Sequence, residues 1–242
     1  MVMVDRIQST AVSPERAPAA VVRAVSYAYG EGASRKAVLT NVDLVLEPGR
    51  FVVLTGHSGA GKTTLLTLIG AIRSLQQGCI DVLGTRLTAD SERQARDVRR
   101  KIGFIFQDHN LFGAISVFRT LWLATELGDK PLSRLEAMEK ALDILVQLNM
   151  ADYLHALPGE LSTGQKQRIA VARALMNNPK LILGDEPTAS LDHASSLLVV
   201  NLIKQHVLRN GASALIVTHD ERIFEFADRV IRLEDGQMVL HK

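Results

Sequence analysis

Eight consecutive residues, Gly56-His57-Ser58-Gly59-Ala60-Gly61-Lys62-Thr63, constrain this 242-residue chain more than any other stretch. They follow the short apolar run Phe51-Val52-Val53-Leu54-Thr55 and precede the apolar run Leu65-Leu66-Leu68-Ile69. A continuous apolar run of this length suits a central parallel strand, so the segment predicts strand, tight loop and helix in that order. Glycines let successive backbone N–H groups turn inward around one anion, and the following helix directs its N-terminal dipole at the same anion. The pattern G-x-x-x-x-G-K-[ST] adds two further groups. Lys62 supplies a mobile cation for the outer phosphates of a nucleotide, and the Thr63 hydroxyl is placed to hold Mg²⁺. The candidate phosphate-binding residues are therefore Gly56, His57, Ser58, Gly59, Ala60, Gly61, Lys62, Thr63 and the adjoining Thr64.

Short apolar runs recur at Ile102 to Phe106, Leu181 to Leu183 and Ala214 to Val217, separated by segments long enough for helical crossovers. That is the pattern of a wound parallel sheet, an α/β fold. Ligands of such sheets collect beyond the carboxyl ends of the strands, so Gln107, Asp185, Glu186 and His219 are expected beside the glycine-rich loop. Leu181-Ile182-Leu183-Gly184-Asp185-Glu186 ends in two carboxylates that take different tasks: Asp185 to hold the metal, Glu186 to polarise an attacking water as general base. Upstream, Val21 to Tyr29 and Asn41 to Leu46 alternate like antiparallel strands with one wet face. Residues from about 112 to 157 carry helical spacing, as in Leu135, Met138, Leu142, Leu145 and Leu148, and are read as a helical subdomain inserted between two sheet strands, roughly 108–178. Asp235-Gly236 between Val230–Leu233 and Gln237–Leu240 signals a hairpin. Residues 1–20 read as a loose extension, and 21–242 as one domain.

Composition excludes several classes. Lys plus Arg number 28 against 26 for Asp plus Glu, so no broad attraction to nucleic acid or anionic lipid is built in. The densest basic stretch, Arg93, Arg96, Arg99, Arg100 and Lys101, alternates with Glu92 and Asp97 and is taken as a solvated helix face, with a nucleic-acid patch as the alternative. No apolar run is long enough to span a bilayer, and the first twenty residues lack the basic-then-apolar order of a secretory signal. The single cysteine, Cys79, excludes an internal disulfide framework, favours a reducing compartment, and is assigned to core packing.

Leu161-Ser162-Thr163-Gly164-Gln165, continuing through Lys166-Gln167-Arg168-Ile169-Ala170-Val171-Ala172-Arg173-Ala174-Leu175, resembles the signature segment of ABC ATPases. The residues themselves predict a capped helix: Ser162 with Gln165 forms an S-x-x-Q capping box, and Ile169, Ala172 and Met176 make an apolar stripe that ends before Asn178-Pro179. The resemblance runs from about Val21 to Leu240 and implies a P-loop NTPase of ABC type, with a RecA-like core, an N-terminal antiparallel β subdomain and an inserted helical signature subdomain. It further implies a homodimer that encloses two ATP with Mg²⁺, each signature segment (Ser162, Gly164, Gln165) covering the γ-phosphate held by the opposite loop. Position by position, it makes Tyr29 the aromatic that stacks on adenine, Gln107 a metal-facing glutamine that senses a membrane partner, Ser190-Leu191-Asp192 an inter-subunit turn and His219 the histidine at the γ-phosphate. Two positions depart from the family pattern. Thr163 stands where glycine is usual, which matters only if φ there is positive. Gly184 stands where a larger residue is common.

Tyr29-Gly30-Glu31-Gly32, Thr55 to Gly59 and Ile105 to Leu111 look most like ATPases of lipoprotein-releasing, macrolide-exporting and glycolipid-exporting systems. That likeness implies a peripheral subunit on the cytoplasmic face of the inner membrane, driving a separate permease that works with a periplasmic adaptor. An importer subunit is the alternative, and a soluble ABC ATPase of DNA repair or translation a second. The likeness offers no nucleic-acid partner. Leu111, Phe112, Ile115 and Phe118 are candidates to receive a permease helix, with ordinary packing equally expected for Phe118.

Overall fold

The computed structural model describes residues 17–128 and 130–239. The chain runs through β1 (Ala20–Tyr29), β2 (Lys36–Leu46), β3 (Phe51–Thr55), α1 (Lys62–Ile69), β4 (Gln77–Val82), β5 (Thr85–Leu87), α2 (Glu92–Arg99) and β6 (Ile102–Ile105). It continues through α3 (Val117–Glu126), α4 (Arg134–Gln147), α5 (Thr163–Leu175), β7 (Leu181–Asp185), α6 (His193–Asn210), β8 (Ser213–Val217), β9 (Arg229–Glu234) and β10 (Gln237–Val239).

Six strands form the central sheet in the order β10-β9-β3-β8-β7-β6, parallel except for β10. Side chains alternate across it. Phe51, Val53, Ile105, Ile182, Ala214 and Ile216 face one core, shared with buried residues of α3, α4, α5 and α6. Val52, Leu54, Leu181, Leu183, Leu215 and Val217 face the other, shared with α1 and the second sheet. Burial on both faces is why these strands read as unbroken apolar runs, and each large side chain so buried contributes roughly 1.5–3 kcal/mol. The second sheet is antiparallel, in the order β2-β1-β4-β5. Val42, Leu44 and Leu46 point inward from β2, while Asn41 and Asp43 are exposed, as the alternation predicts.

Several expectations need correction. Ala19 and Ala20 are buried and Ala20 opens β1, so the ordered domain starts inside the expected 1–20 extension, of which residues 1–16 lie outside the described residues. Cys79 is only half-buried: β4 turns Ile80 and Val82 inward, which leaves Cys79 on the wetter side, where Arg86 donates to its Sγ at 3.1 Å. Leu135 is exposed because the buried face of α4 runs through Ala137, Ala141, Ile144 and Leu145 instead. Phe118 is core, stacked on Trp122 with ring centroids 5.8 Å apart, whereas Phe112 is 67% exposed. The arginines of α2 are exposed, as expected of a solvated face.

The nucleotide-type cleft and the signature helix

The glycine-rich loop leaves β3 and enters α1 with Gly61 at φ 102°, a left-handed conformation that a side chain would strain. A Cβ on Gly61 would also meet Leu39 Cδ2 and the Val38 carbonyl, both at 2.8 Å. The loop is therefore pressed against β2, and α1 begins at Lys62 with its free N–H groups facing the loop. Lys62 Nζ donates to the carbonyls of Gly56 and His57, each at 2.8 Å, which folds the ammonium over the mouth of the loop. His57 Nε2 lies 3.1 Å from Asp235 Oδ1, so the loop is also tied to the β9–β10 turn.

The Thr63 hydroxyl donates to Asp185 Oδ2 at 2.8 Å. Asp185 is buried at the end of β7, and its carboxyl titrates above the ordinary aspartate range, chiefly because burial disfavours the anion; the Thr63 hydrogen bond only partly offsets this. The next residue, Glu186, sits at φ 49°, a conformation uncommon for a residue with a side chain, and its N–H donates to the Val217 carbonyl at 2.9 Å. That backbone twist turns the Glu186 carboxylate toward β8, where His219 Nδ1 lies 2.7 Å from Oε1.

Tyr29, Gly56, His57, Ser58, Gly59, Gly61, Lys62, Thr63, Thr64, Gln107, Asp185, Glu186 and His219 all line one open cleft of about 1110 Å³. Ala60 is buried beneath it. Among the described residues, no group of three or more His, Cys, Asp or Glu side chains is close enough to hold a metal unaided. A Thr63 hydroxyl and one carboxylate do suit Mg²⁺, which keeps several waters and takes further oxygens from a bound phosphate.

Ser162, Gly164 and Gln165 do not line this cleft. They start α5, where Ser162 Oγ accepts from the Gln165 N–H at 3.2 Å and Gln165 Oε1 accepts from the Ser162 N–H at 2.8 Å, a complete capping box. Thr163 is the first helical residue and is not in the left-handed region, so its β-branch brings no backbone strain. Gly164 abuts the Ser190-Leu191 turn: a Cβ there would lie 3.2 Å from the Ser190 carbonyl. Asp192 then caps α6, its carboxylate accepting from the Ser195 N–H at 2.8 Å. At Gly184, a Cβ would stand 2.9 Å from Ile216 Cδ1, so neighbours occupy the room a larger residue would need.

Sequence reasoning missed Arg73, whose guanidinium lies against Tyr29, and Asp235, which reaches His57. It also missed Arg173, which donates to the carbonyls of Asn110 and His109 at 2.7 and 3.1 Å and so joins α5 to the segment after Gln107. Only the Asp235-Gly236 turn left a local signal.

A parallel sheet with a phosphate loop at the carboxyl ends of its strands, and two carboxylates opposite, defines a P-loop nucleoside-triphosphatase domain. The family model described as "ABC transporter" matches residues 39–189. A putative hemin import ATP-binding protein HrtA from Staphylococcus aureus (strain bovine RF122 / ET3-1) is 41% identical over 221 residues, covering 91% of this chain and 99% of the relative. Among solved structures, the dimeric post-hydrolysis state of the ATP-binding cassette MJ0796 bound to ADP and Pi matches with a TM-score of 0.86 at 31% identity, covering 92% of this chain and 97% of that one. The cbiO1 subunit from Clostridium perfringens, part of the ABC transporter complex cbiONQ, matches with a TM-score of 0.78 at 25% identity, covering 92% and 87%. The chain belongs to the ABC transporter family, as an ATP-binding and ATP-hydrolysing subunit. Among the described residues, no helix is long and apolar enough to cross a membrane.

Proposed function

We propose that two copies of this chain pair around two ATP molecules and drive a separate membrane permease from the cytoplasmic face of the inner membrane. The observation that carries this reading is a separation. Lys62, Thr63, Asp185, Glu186 and His219 share one cleft, while the capped start of α5, a second anion-ready helix terminus, lies outside it. A second copy turned head to tail would bring Ser162, Gly164 and Gln165 over the open side of the cleft. The dimeric cassettes among the structural relatives support that arrangement.

Within the cleft, Tyr29 stacks on the adenine, the N–H groups of residues 56 to 64 and the Lys62 ammonium hold the phosphates, and Thr63, Asp185 and Gln107 serve Mg²⁺. That cation neutralises phosphate charge when bound. Glu186 takes a proton from the attacking water, and His219 keeps the Glu186 carboxylate oriented while its ring faces the γ-phosphate. Exposed Phe112, half-buried Leu111 and Ile115, and the arginine-lined groove between α2, β6, α3 and α5 meet the permease.

The cargo is lipophilic or glycolipid-like and moves outward, with a periplasmic adaptor, on the motif likeness described above. The name of the Staphylococcus relative favours a second reading, an importer. Copurification of the chain from its native membrane, followed by ATP-driven transport in vesicles of known orientation, tests both. Recovery of no membrane protein would overturn the permease assignment, and cargo movement toward the ATPase side would select the importer.

A further inference from the structure

We propose that Arg73 is a positioning residue for ATP: held against the face of Tyr29, it sets that ring as a preformed platform for the base. The inference rests on the reading that Tyr29 stacks on adenine. Arg73 follows α1, and its guanidinium carbon lies 4.9 Å from the Tyr29 ring centroid and 5.4 Å from that of Tyr27. Both distances are within the range in which a cation is attracted to an aromatic face. The two tyrosines alternate along β1 onto the same side and meet edge to face, 5.2 Å apart. Arg73 Nη1 donates to the Tyr27 hydroxyl at 3.2 Å, while its Nε is buried without a hydrogen-bond partner. Leaving a buried donor unpaired costs free energy, so the guanidinium is held by the rings and the phenol at some local expense.

Three further contacts make this a frame. The Tyr29 hydroxyl lies 3.1 Å from the Thr64 hydroxyl, joining the ring to the first turn of α1. Gln76 clamps the intervening backbone, accepting from the Ala28 N–H and donating to the Ala28 carbonyl, each at 2.9 Å. Arg73 itself lines a separate hollow, with Leu68, Ala71 and Leu75, and does not line the nucleotide-type cleft, whereas Tyr29 does. The cation thus approaches Tyr29 from outside the cleft and leaves the cleft side, part of a residue 40% exposed, open to a base. A ring fixed before binding loses less rotational freedom when the base arrives, which strengthens the base contact and nothing else.

Calorimetry with a non-hydrolysable ATP analogue, and with inorganic tripolyphosphate as a probe without a base, tests this. Arg73→Ala weakens binding of the analogue about three- to tenfold and leaves tripolyphosphate affinity unchanged. Arg73→Lys, which keeps a cation near the ring, recovers part of the loss, and Tyr27→Phe, which deletes only the anchoring hydroxyl, gives a smaller loss in the same direction. Equal losses for both probes, or an unchanged affinity for the analogue, overturn the proposal. Should Arg73→Ala fail to fold, the same criteria apply to Arg73→Lys and Tyr27→Phe. Tyr29→Ala separates the two layers: if it leaves the analogue's affinity intact, the stacking assignment fails, whereas a Tyr29 effect without an Arg73 effect sinks only the positioning role.

Discussion

His219 Nδ1 and Glu186 Oε1 lie 2.7 Å apart, so a residue just past β7 is joined to one just past β8. Glu186→Gln keeps the shape of that pair but removes the carboxylate that we propose as general base. The expected result is retained ATP binding, turnover lowered by at least about 10²-fold, and a nucleotide-bound dimer that accumulates on gel filtration. A monomeric elution at saturating ATP would refute it.

Asp185 sits where burial disfavours its anion. Its folded pKa is raised by burial, so protonation favours the folded state, and above the raised pKa the carboxylate costs stability. Asp185→Asn is therefore expected to raise the melting temperature of the nucleotide-free protein at neutral pH while suppressing hydrolysis. The stability difference should shrink as the pH falls through the acid range and the wild-type carboxyl becomes neutral. A lower melting temperature for the variant at pH 7 would contradict this.

Ser162 has two separable roles. Ser162→Ala loses one half of the capping box and is expected to cost about 1 kcal/mol in urea unfolding. Ser162→Arg places a bulky cation at the exposed start of α5 and is expected to block hydrolysis without weakening ATP binding to the monomer. Normal turnover in that variant would show that α5 does not meet a partner's nucleotide.

His206 is buried on α6, 3.0 Å from both the Pro179 carbonyl and the Asn210 side chain. Its pKa is lowered, first by burial and further by Lys140 and Lys180, with the Pro179 hydrogen bond opposing them in part, so the folded state disfavours the charged ring. The unfolded chain binds the proton more readily. This contribution to stability is present above the unfolded value, about 6.5, and is lost as the pH falls toward the lower folded value. Urea midpoints measured from pH 7.5 down to pH 5 are expected to fall less steeply for His206→Gln than for the wild type.

The residues legible in the sequence are those whose meaning is local. β3, β7 and β8 are buried on both faces, so their apolar runs stand out, and the phosphate loop, the two carboxylates and the capping box are contiguous. What stayed hidden depends on partners far along the chain: His57 finds Asp235 across 178 residues, and Arg73 finds Tyr27 across 46. For Phe118 the sequence left a permease contact and ordinary packing equally open, and the packing of α3 settles it by turning the ring into the core. Cys79 looked apolar in context, but the register of β4 decides which neighbours face inward.

β3 carries the phosphate loop, yet both of its sheet neighbours, β8 and β9, come more than 150 residues later in the chain. A nascent polypeptide that has emerged only through α5 therefore holds the loop sequence without either of the strands that flank β3 in the central sheet. Parallel pairings this distant form slowly because the loop they close is long. The loop is therefore expected to take its nucleotide-binding shape only after β8 and β9 have paired with β3.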